Sequence, residues 1–404
     1  MIAGVGTLLL AAAAMLAPQA QDEVVVYRAS KVFTAERGGM INNGALAVVG
    51  SKIKAAATAS EIMTQFPNAK VVDLGDYWLV PGCVEAHNHV AGSLRDLNDT
   101  VYLTNPALET HGVLEPQNPY LKDSIAGGIT SALFIPGSGS NMGGFGMLVK
   151  TSGKTVEEMV VRSPGSLKIA QAGNPERYSF GVGRAMMNWN TRDTLSKGIE
   201  WVRAYRAGEV EWDPKWANFE GLVDRTTPVS VHTQIYQVVM QTIVMQKNQL
   251  GLAPFIDHGT FDGFKAGSLA VESGVPVMNG PREFWWDRSS ARIIGNGAGW
   301  FEHVKDGLLL GYNTDAPVIP QEELPYQAAM GVRFGAGTSE DGLLGVTSHP
   351  AKALLIEDVA GSLKPGLDAD FVVWTGNPID PRSHVIKAYV RGEMVYDSND
   401  GRRY

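Results

Sequence analysis

Short apolar runs recur along the chain, and their texture changes twice. Residues 24–27, 45–49 and 53–56 are β-rich runs separated by the turn sequences Asn42-Asn43-Gly44 and Gly50-Ser51-Lys52. Runs bounded in this way predict a small antiparallel sheet. The same texture returns at the far end, over residues 370–374, 386–390 and 394–396, with Arg391-Gly392-Glu393 as a turn. Strand segments at opposite ends of a chain can pair. The expectation is therefore a small β-sandwich domain assembled from residues 22–79 and 346–404.

Between these ends, apolar runs that finish in Gly, Asn, Asp or His alternate with helical stretches. Residues 78–80, 131–135, 167–170, 229–232, 254–257, 275–278 and 308–311 read as strands, and 194–206, 234–249 and 264–272 as helices. Alternation of this kind predicts an α/β fold with a parallel sheet, and its length suits a closed (β/α)8 TIM barrel over residues 80–345.

Composition changes this picture in two places. The net charge of −8 argues against nucleic acid or an anionic membrane as the main partner and is compatible with a small-molecule substrate. Residues 2–17 are apolar and run into Pro18-Gln19-Ala20-Gln21-Asp22. That run is short for a membrane span and ends as a signal peptide does, although the first basic residue is Arg28. The expectation is a leader over residues 1–21, an exported (periplasmic or extracellular) protein and no stable membrane association after processing. A homo-oligomer stays open. The lone Cys83 excludes an intrachain disulfide and reads as a buried, inert thiol.

Chemistry concentrates in the histidines. His87 and His89 flank Asn88, and side chains two apart on an extended strand point the same way. Two such imidazoles can hold one metal ion, but the pair alone is a weak signal. Three more groups strengthen it. His232 ends the run Val229-Ser230-Val231, His258 follows Pro254-Phe255-Ile256-Asp257, and Asp315 follows residues 308–314. The spacings place these ligands on barrel strands one, five, six and eight, at the strand ends where barrels build active sites. His349 reads as structural; His111, His303 and His384 lie away from strand ends. The glycine-rich residues 136–146 lack Gly-Lys-Ser/Thr and read as an active-site loop. Phe284-Trp285-Trp286 reads as a packing cluster or a pocket wall.

These motifs together resemble the amidohydrolase superfamily, and within it the imidazolonepropionase-like exported enzymes. The resemblance is carried by Pro81-Gly82 before His87-Asn88-His89, by Gly128-Ile129-Thr130 with Pro136-Gly137-Ser138-Gly139, by Asn279-Gly280-Pro281-Arg282, by Asn313-Thr314-Asp315, and by Pro350-Ala351-Lys352, Gly361-Ser362-Leu363-Lys364-Pro365-Gly366 and Asp368-Ala369-Asp370. It implies a divalent metal, zinc by preference, with one or two ions per chain. Gly173 departs from the pattern, since it stands where the family often has a metal-bridging Glu. Either a carboxylated Lys168 bridges two metals, as in other branches, or one metal is bound, or the site is impaired.

The resemblance implies hydrolysis of a C–N bond in an amide, cyclic amide or dipeptide. In that reading the metal activates water, Asp315 passes its proton to the leaving nitrogen, and His258 and His232 hold metal or stabilise the oxyanion. Arg282 is a candidate for binding a substrate carboxylate. Two other readings remain. One is deamination of an aminated heterocycle, which the acid-free Thr233-Gln234-Ile235-Tyr236 disfavours. The other is a catalytically impaired barrel that acts as a binding protein.

Overall fold

A computed structural model describes residues 23–92, 98–171, 173–178, 182–281 and 283–401. The expected leader and Arg282 lie outside the described residues. The N-terminal part contributes strands β1 (Val24–Phe33), β2 (Met40–Val49), β3 (Lys52–Thr58), β4 (Lys70–Asp73) and β5 (Trp78–Pro81). The middle contributes β6 (Cys83–Asn88), β7 (Ile129–Phe134), β8 (Met142–Lys150), β9 (Val160–Ala170), β10 (Val229–Thr233), β11 (Pro254–His258), β12 (Val277–Asn279), β13 (Phe284–Asp287), β14 (Arg292–Gly295) and β15 (Leu310–Tyr312). The C-terminal part adds β16 (Phe371–Trp374), β17 (Val385–Val390) and β18 (Glu393–Asp397).

The two ends pair, as their texture predicted. β16 runs antiparallel to β5, and the combined order is β18-β17-β16-β5-β1-β2-β3, with β4 also on β1. Tyr27, Leu46, Ile53, Leu79, Phe371 and Tyr389 pack into one core of this unit.

The central strands form a second eight-stranded sheet in the order β15-β12-β11-β10-β9-β8-β7-β6. It nearly closes on itself. Asn88 bridges Ala316, His89 N–H donates to Ala316 O at 3.0 Å, and Val84 N–H to Val346 O at 2.9 Å. Alternation sorts each strand's side chains. In β9, Leu167 and Ile169 pack outward with Leu195, Ile199 and Val202 of the helix Arg184–Arg206, which leaves Ser166, Lys168 and Ala170 facing inward.

The structure corrects the sequence reading at four points. The barrel is not all parallel, because β8 is antiparallel to both β7 and β9. The residues between β7 and β8 are too few for the crossover of about a dozen residues that a parallel strand needs, so the chain turns back as a hairpin. Residues 142–146 of the glycine-rich stretch read as a loop are therefore strand, and 136–141 form the connection. Gly144, at φ +105°, is needed there, since a Cβ would meet Leu108 O at 2.5 Å. Second, residues 78–80 belong to the end sheet, and the first barrel strand is β6. Third, the stretch after residue 346 still serves the barrel: the helix Ser348–Ala353 carries His349, whose Nδ1–H donates to Leu310 O at 2.8 Å. Fourth, the helix expected over 234–249 is α-helical only over Tyr236–Thr242 and continues as a π-helix over Ile243–Gln249. Among the described residues no helix is long and apolar enough to cross a membrane.

A buried ion cluster ties barrel to end domain. Lys150, at the end of β8, is fully buried and contacts Asp368 at 3.0 Å and also Asp370. Lys52 reaches Asp368 at 2.8 Å, and Asp370 accepts from Arg391 N–H at 2.8 Å. Removing one partner from such a cluster strands the others. Lys150→Met should lower the stability to urea unfolding by about 3–5 kcal/mol, because two buried carboxylates lose their shared cation. An unchanged unfolding midpoint would show that Lys52 and Arg391 suffice.

Candidate active site

All six described side chains singled out by sequence converge at the C-terminal mouth of the barrel. Strand alternation accounts for part of this. Lys168 of β9 and His232 of β10 sit at inward positions, and so does Asp257 of β11. His258 is the next residue and by alternation would point away. Its backbone turns into the left-handed region, at φ +76°, and its ring comes back to the site. Asp315 uses the same device at φ +50°. Non-glycine residues held there cost about 1–3 kcal/mol each, which tertiary contacts must offset.

The contacts form one connected set. His87 Nε2 lies 3.0 Å from His89 Nε2, 3.2 Å from Asp315 Oδ1 and 3.0 Å from Lys168 Nζ. His89 Nε2 lies 3.1 Å from Asp315 Oδ1. On the other side, His258 Nε2 is 2.8 Å from His232 Nδ1 and 4.0 Å from Asp315 Oδ2. His87, His89, His232, His258 and Lys168 are buried, and Asp315 keeps 15% of its side chain exposed, so it is the member that meets the solvent of the mouth.

The far nitrogens of three rings are anchored. His89 Nδ1–H donates to Ile135 O at 2.9 Å, and His258 Nδ1–H to Gly280 O at 2.7 Å. His87 Nδ1 lies 3.0 Å from Asp257 Oδ2. The two carbonyl acceptors keep a proton on Nδ1 of His89 and His258, and the Asp257 carboxylate favours one on His87 Nδ1 by its charge, so in each neutral ring the lone pair sits on Nε2 and faces the site. Anchors of this kind are how metal-ligating histidines are oriented. His87, His89 and Asp315 offer ligand atoms that lie within 4.8 Å of one another.

The electrostatics point the same way. Burial lowers the His87 imidazole, but Asp257 and Asp315 outweigh it and push its pKa up to about 9, so the centre favours a positive charge. Burial brings His258 down to about 4 and holds His232 well below the ordinary value, which keeps both rings neutral and able to ligate. Burial also raises Asp315, yet His87 and His258 overrule it and hold this carboxylate well below its usual range. Lone-pair nitrogens beside an ionised carboxylate in a dry pocket fit a divalent cation.

Gly173, at φ +84°, also belongs to this centre, since a Cβ there would lie 3.9 Å from His232 Nε2. A side chain at that position would enter the site. Cys83 is buried beside the motif, and burial pushes its thiol up to about 12, in line with an inert residue. The Phe284-Trp285-Trp286 segment forms the β13–β14 hairpin, with Phe284 packing on Phe334 and Trp286 exposed.

Sequence reasoning missed three buried acids. Glu85 accepts from Thr314 N–H at 3.0 Å and from His87 N–H at 2.9 Å, joining strand one to the loop that carries Asp315. Its position two residues before His87 was a usable signal. Asp257 was hidden beside His258, because two neighbours on a regular strand do not face the same side. Glu283 follows Arg282 and had no signal at all.

No family model matches the chain. Curated relatives do. It is 24% identical over 413 residues to amidohydrolase tasK of Hapsidospora irregularis, covering 89% of this chain and 40% of that protein. The chain thus spans about two fifths of that relative. It is 22% identical to the imidazolonepropionase of Klebsiella pneumoniae subsp. pneumoniae, covering 93% of this chain and 99% of that one. Among solved structures, an amidohydrolase from Thermotoga maritima MSB8 superposes with a TM-score of 0.80 at 29% identity, covering 92% of this chain and 100% of its own.

Glu283 generates a pH dependence. Both its carboxyl oxygens are buried and without partners, and burial pushes its pKa up to about 8 from an ordinary 4.5. The folded state then holds this proton over a window in which the unfolded chain has released it. Its contribution is complete below about pH 4.5 and is lost as pH rises through 8. Glu283→Gln should therefore flatten the decline in unfolding free energy between those values and stabilise the protein on the alkaline side. Parallel urea titrations of both proteins check this, and identical slopes would refute it.

Proposed function

We propose that this chain, which belongs to the amidohydrolase superfamily and is imidazolonepropionase-like within it, is a metal-dependent hydrolase that opens a C–N bond of an amide, cyclic amide or dipeptide. One observation carries the reading: the Nε2 atoms of His87 and His89, whose rings are held from Nδ1, and the ionised Asp315 carboxylate meet at a single point. His87, His89 and Asp315 would hold the ion. His232 Nδ1 and His258 Nε2 would complete it or hold a second, and Lys168, if carboxylated, would bridge the two. When bound, a divalent ion supplies Lewis acidity, which lowers the pKa of water from 15.7 to about 7 and polarises a carbonyl.

The remaining work falls to the protein. Asp315 is the group at this centre that is both ionised and open to the mouth, so it takes the proton of the attacking water and delivers it to the leaving nitrogen. His258, neutral and held by Gly280 O, presents its ring beside Asp315 Oδ2 and steadies the developing oxyanion or ligates. Buried walls exclude bulk water from all groups but Asp315. Arg282 would receive a substrate carboxylate. Thr233 to Tyr236 supply no acid beside His232, so amide hydrolysis is preferred to deamination.

The same reading extends to features outside the site. Zinc is the preferred ion for this imidazole-rich set. The forked end sheet is a small β-sandwich, residues 1–21 are a leader for export, and a homo-oligomer would be compatible with this arrangement.

Elemental analysis of protein purified without chelator should find one or two ions per chain. Asp315→Asn should retain most of that metal while amide turnover falls about 10²–10⁴-fold. Absence of metal even after incubation with zinc or manganese would overturn the metal-dependent reading, and full turnover in Asp315→Asn would remove Asp315 as the base.

A further inference from the structure

We infer that Asp257 is a positioning residue for the metal centre, acting through His87, with Ser230 holding it in place. The inference rests on the metal-dependent reading above. Asp257 is fully buried on β11. Its neighbour Ile256 packs outward with Ile243, Ala270 and Trp300, so Asp257 faces the barrel interior. There the Ser230 hydroxyl donates to Oδ2, and His87 Nδ1 lies 3.0 Å from the same oxygen. Asp257 stands behind the His87 ring, on the side away from Asp315, so it reaches neither substrate nor attacking water.

Its particular role follows from comparing the three anchored imidazoles. His89 and His258 each lean on a neutral backbone carbonyl, Ile135 O and Gly280 O. His87 leans on a carboxylate. A carboxylate this close to Nδ1 favours a proton there by its charge and makes Nε2 the stronger electron donor. His87 is also the ring that touches most of the centre: His89, Asp315 and Lys168 all approach its Nε2 within 3.2 Å. The carboxylate is thus spent on the ligand at the hub.

Position on the chain adds a second consequence. Asp257 and His258 are consecutive, yet they serve opposite halves of the site, one orienting His87 and the other pairing with His232. The left-handed turn at His258 allows both to face inward. β11 therefore sets the geometry of the two donor groups together.

The test is zinc affinity of the full-length apoprotein, measured by competition with a chromophoric chelator, with the visible spectrum of the cobalt-loaded protein as a readout of ligand geometry. Asp257→Asn should bind zinc about 10–100-fold more weakly than the unsubstituted protein and alter the cobalt spectrum. Ser230→Ala, which leaves the carboxylate in place, should weaken binding in the same direction but less, and it serves as the readout should Asp257→Asn fail to fold. Affinity within about twofold of the unsubstituted protein in folded Asp257→Asn, or in Ser230→Ala where Asp257→Asn does not fold, with only urea stability reduced, would overturn the inference and leave Asp257 as a packing residue. If the unsubstituted protein binds neither zinc nor cobalt, the metal-dependent reading itself falls and this inference with it, an outcome visible before any variant is made.

Discussion

Removal of charged and lone-pair-bearing groups from water at one end of the barrel is the constraint on which the rest of this structure depends. Asp257 and Asp315, with the imidazoles of His87, His89, His232 and His258 and the Lys168 amine, crowd together where all but Asp315 are shut off from solvent. An isolated buried carboxylate is expensive by several kcal/mol, and it persists only where opposite charge and hydrogen bonds reach it. Those partners come from strands far apart in sequence. His87 is met by Asp257 across the barrel, and Asp315 by His87 and His89 across the seam. The barrel must therefore hold its register before the site is tolerable, and the Asn88–Ala316 bridge that nearly closes the sheet lies beside the ligands it aligns.

The two ends of the barrel use buried charge differently. At the mouth, ligand atoms are left facing one another without enough protons to share, which suits a cation and chemistry. At the opposite end, Lys150 is enclosed by Asp368 and Asp370, so charge is matched within the protein. The antiparallel β8 connects these regions. It starts near the mouth, where Met142 pairs with Ile169, and ends at the ion cluster, where Lys150 pairs with Ser131. A barrel with its candidate site at the C-terminal strand ends and its stabilising contacts at the other fits the general pattern of the fold.

Three of the candidate ligand rings are aimed by groups that are themselves part of the framework. Ile135 O and Gly280 O are backbone atoms of the segments after the second and seventh barrel strands, and Asp257 belongs to the sixth. Loops that in isolation read as glycine-rich connectors thus have a second use, because their carbonyls choose which nitrogen of a histidine keeps its proton. Gly280, at φ +134°, passes within 2.3 Å of Asn313 O at the position of a missing Cβ, so only glycine brings that carbonyl to His258 without displacing the Asp315 loop.

The sequence by itself determined the kinds of elements and the identities of the candidate ligands. Short β-rich runs bounded by turn residues marked the end sheet, apolar runs finishing in His or Asp marked the barrel strands, and spacings of one, two and four βα units put His87, His89, His232, His258 and Asp315 on strands one, five, six and eight. These features are local, and a run of apolar residues between turn residues reports burial directly. Tertiary structure decided what local pattern does not encode. Whether the chain after β7 crosses over or turns back depends on whether a helix fits in the connection, and this turned the third strand antiparallel. Whether residue 257 or 258 faces the site depends on a backbone turn that only packing imposes, and that turn brought in both. The partners of Glu85 and Asp257 are distant in sequence, and a buried carboxylate carries no sign in its own segment of what will neutralise it.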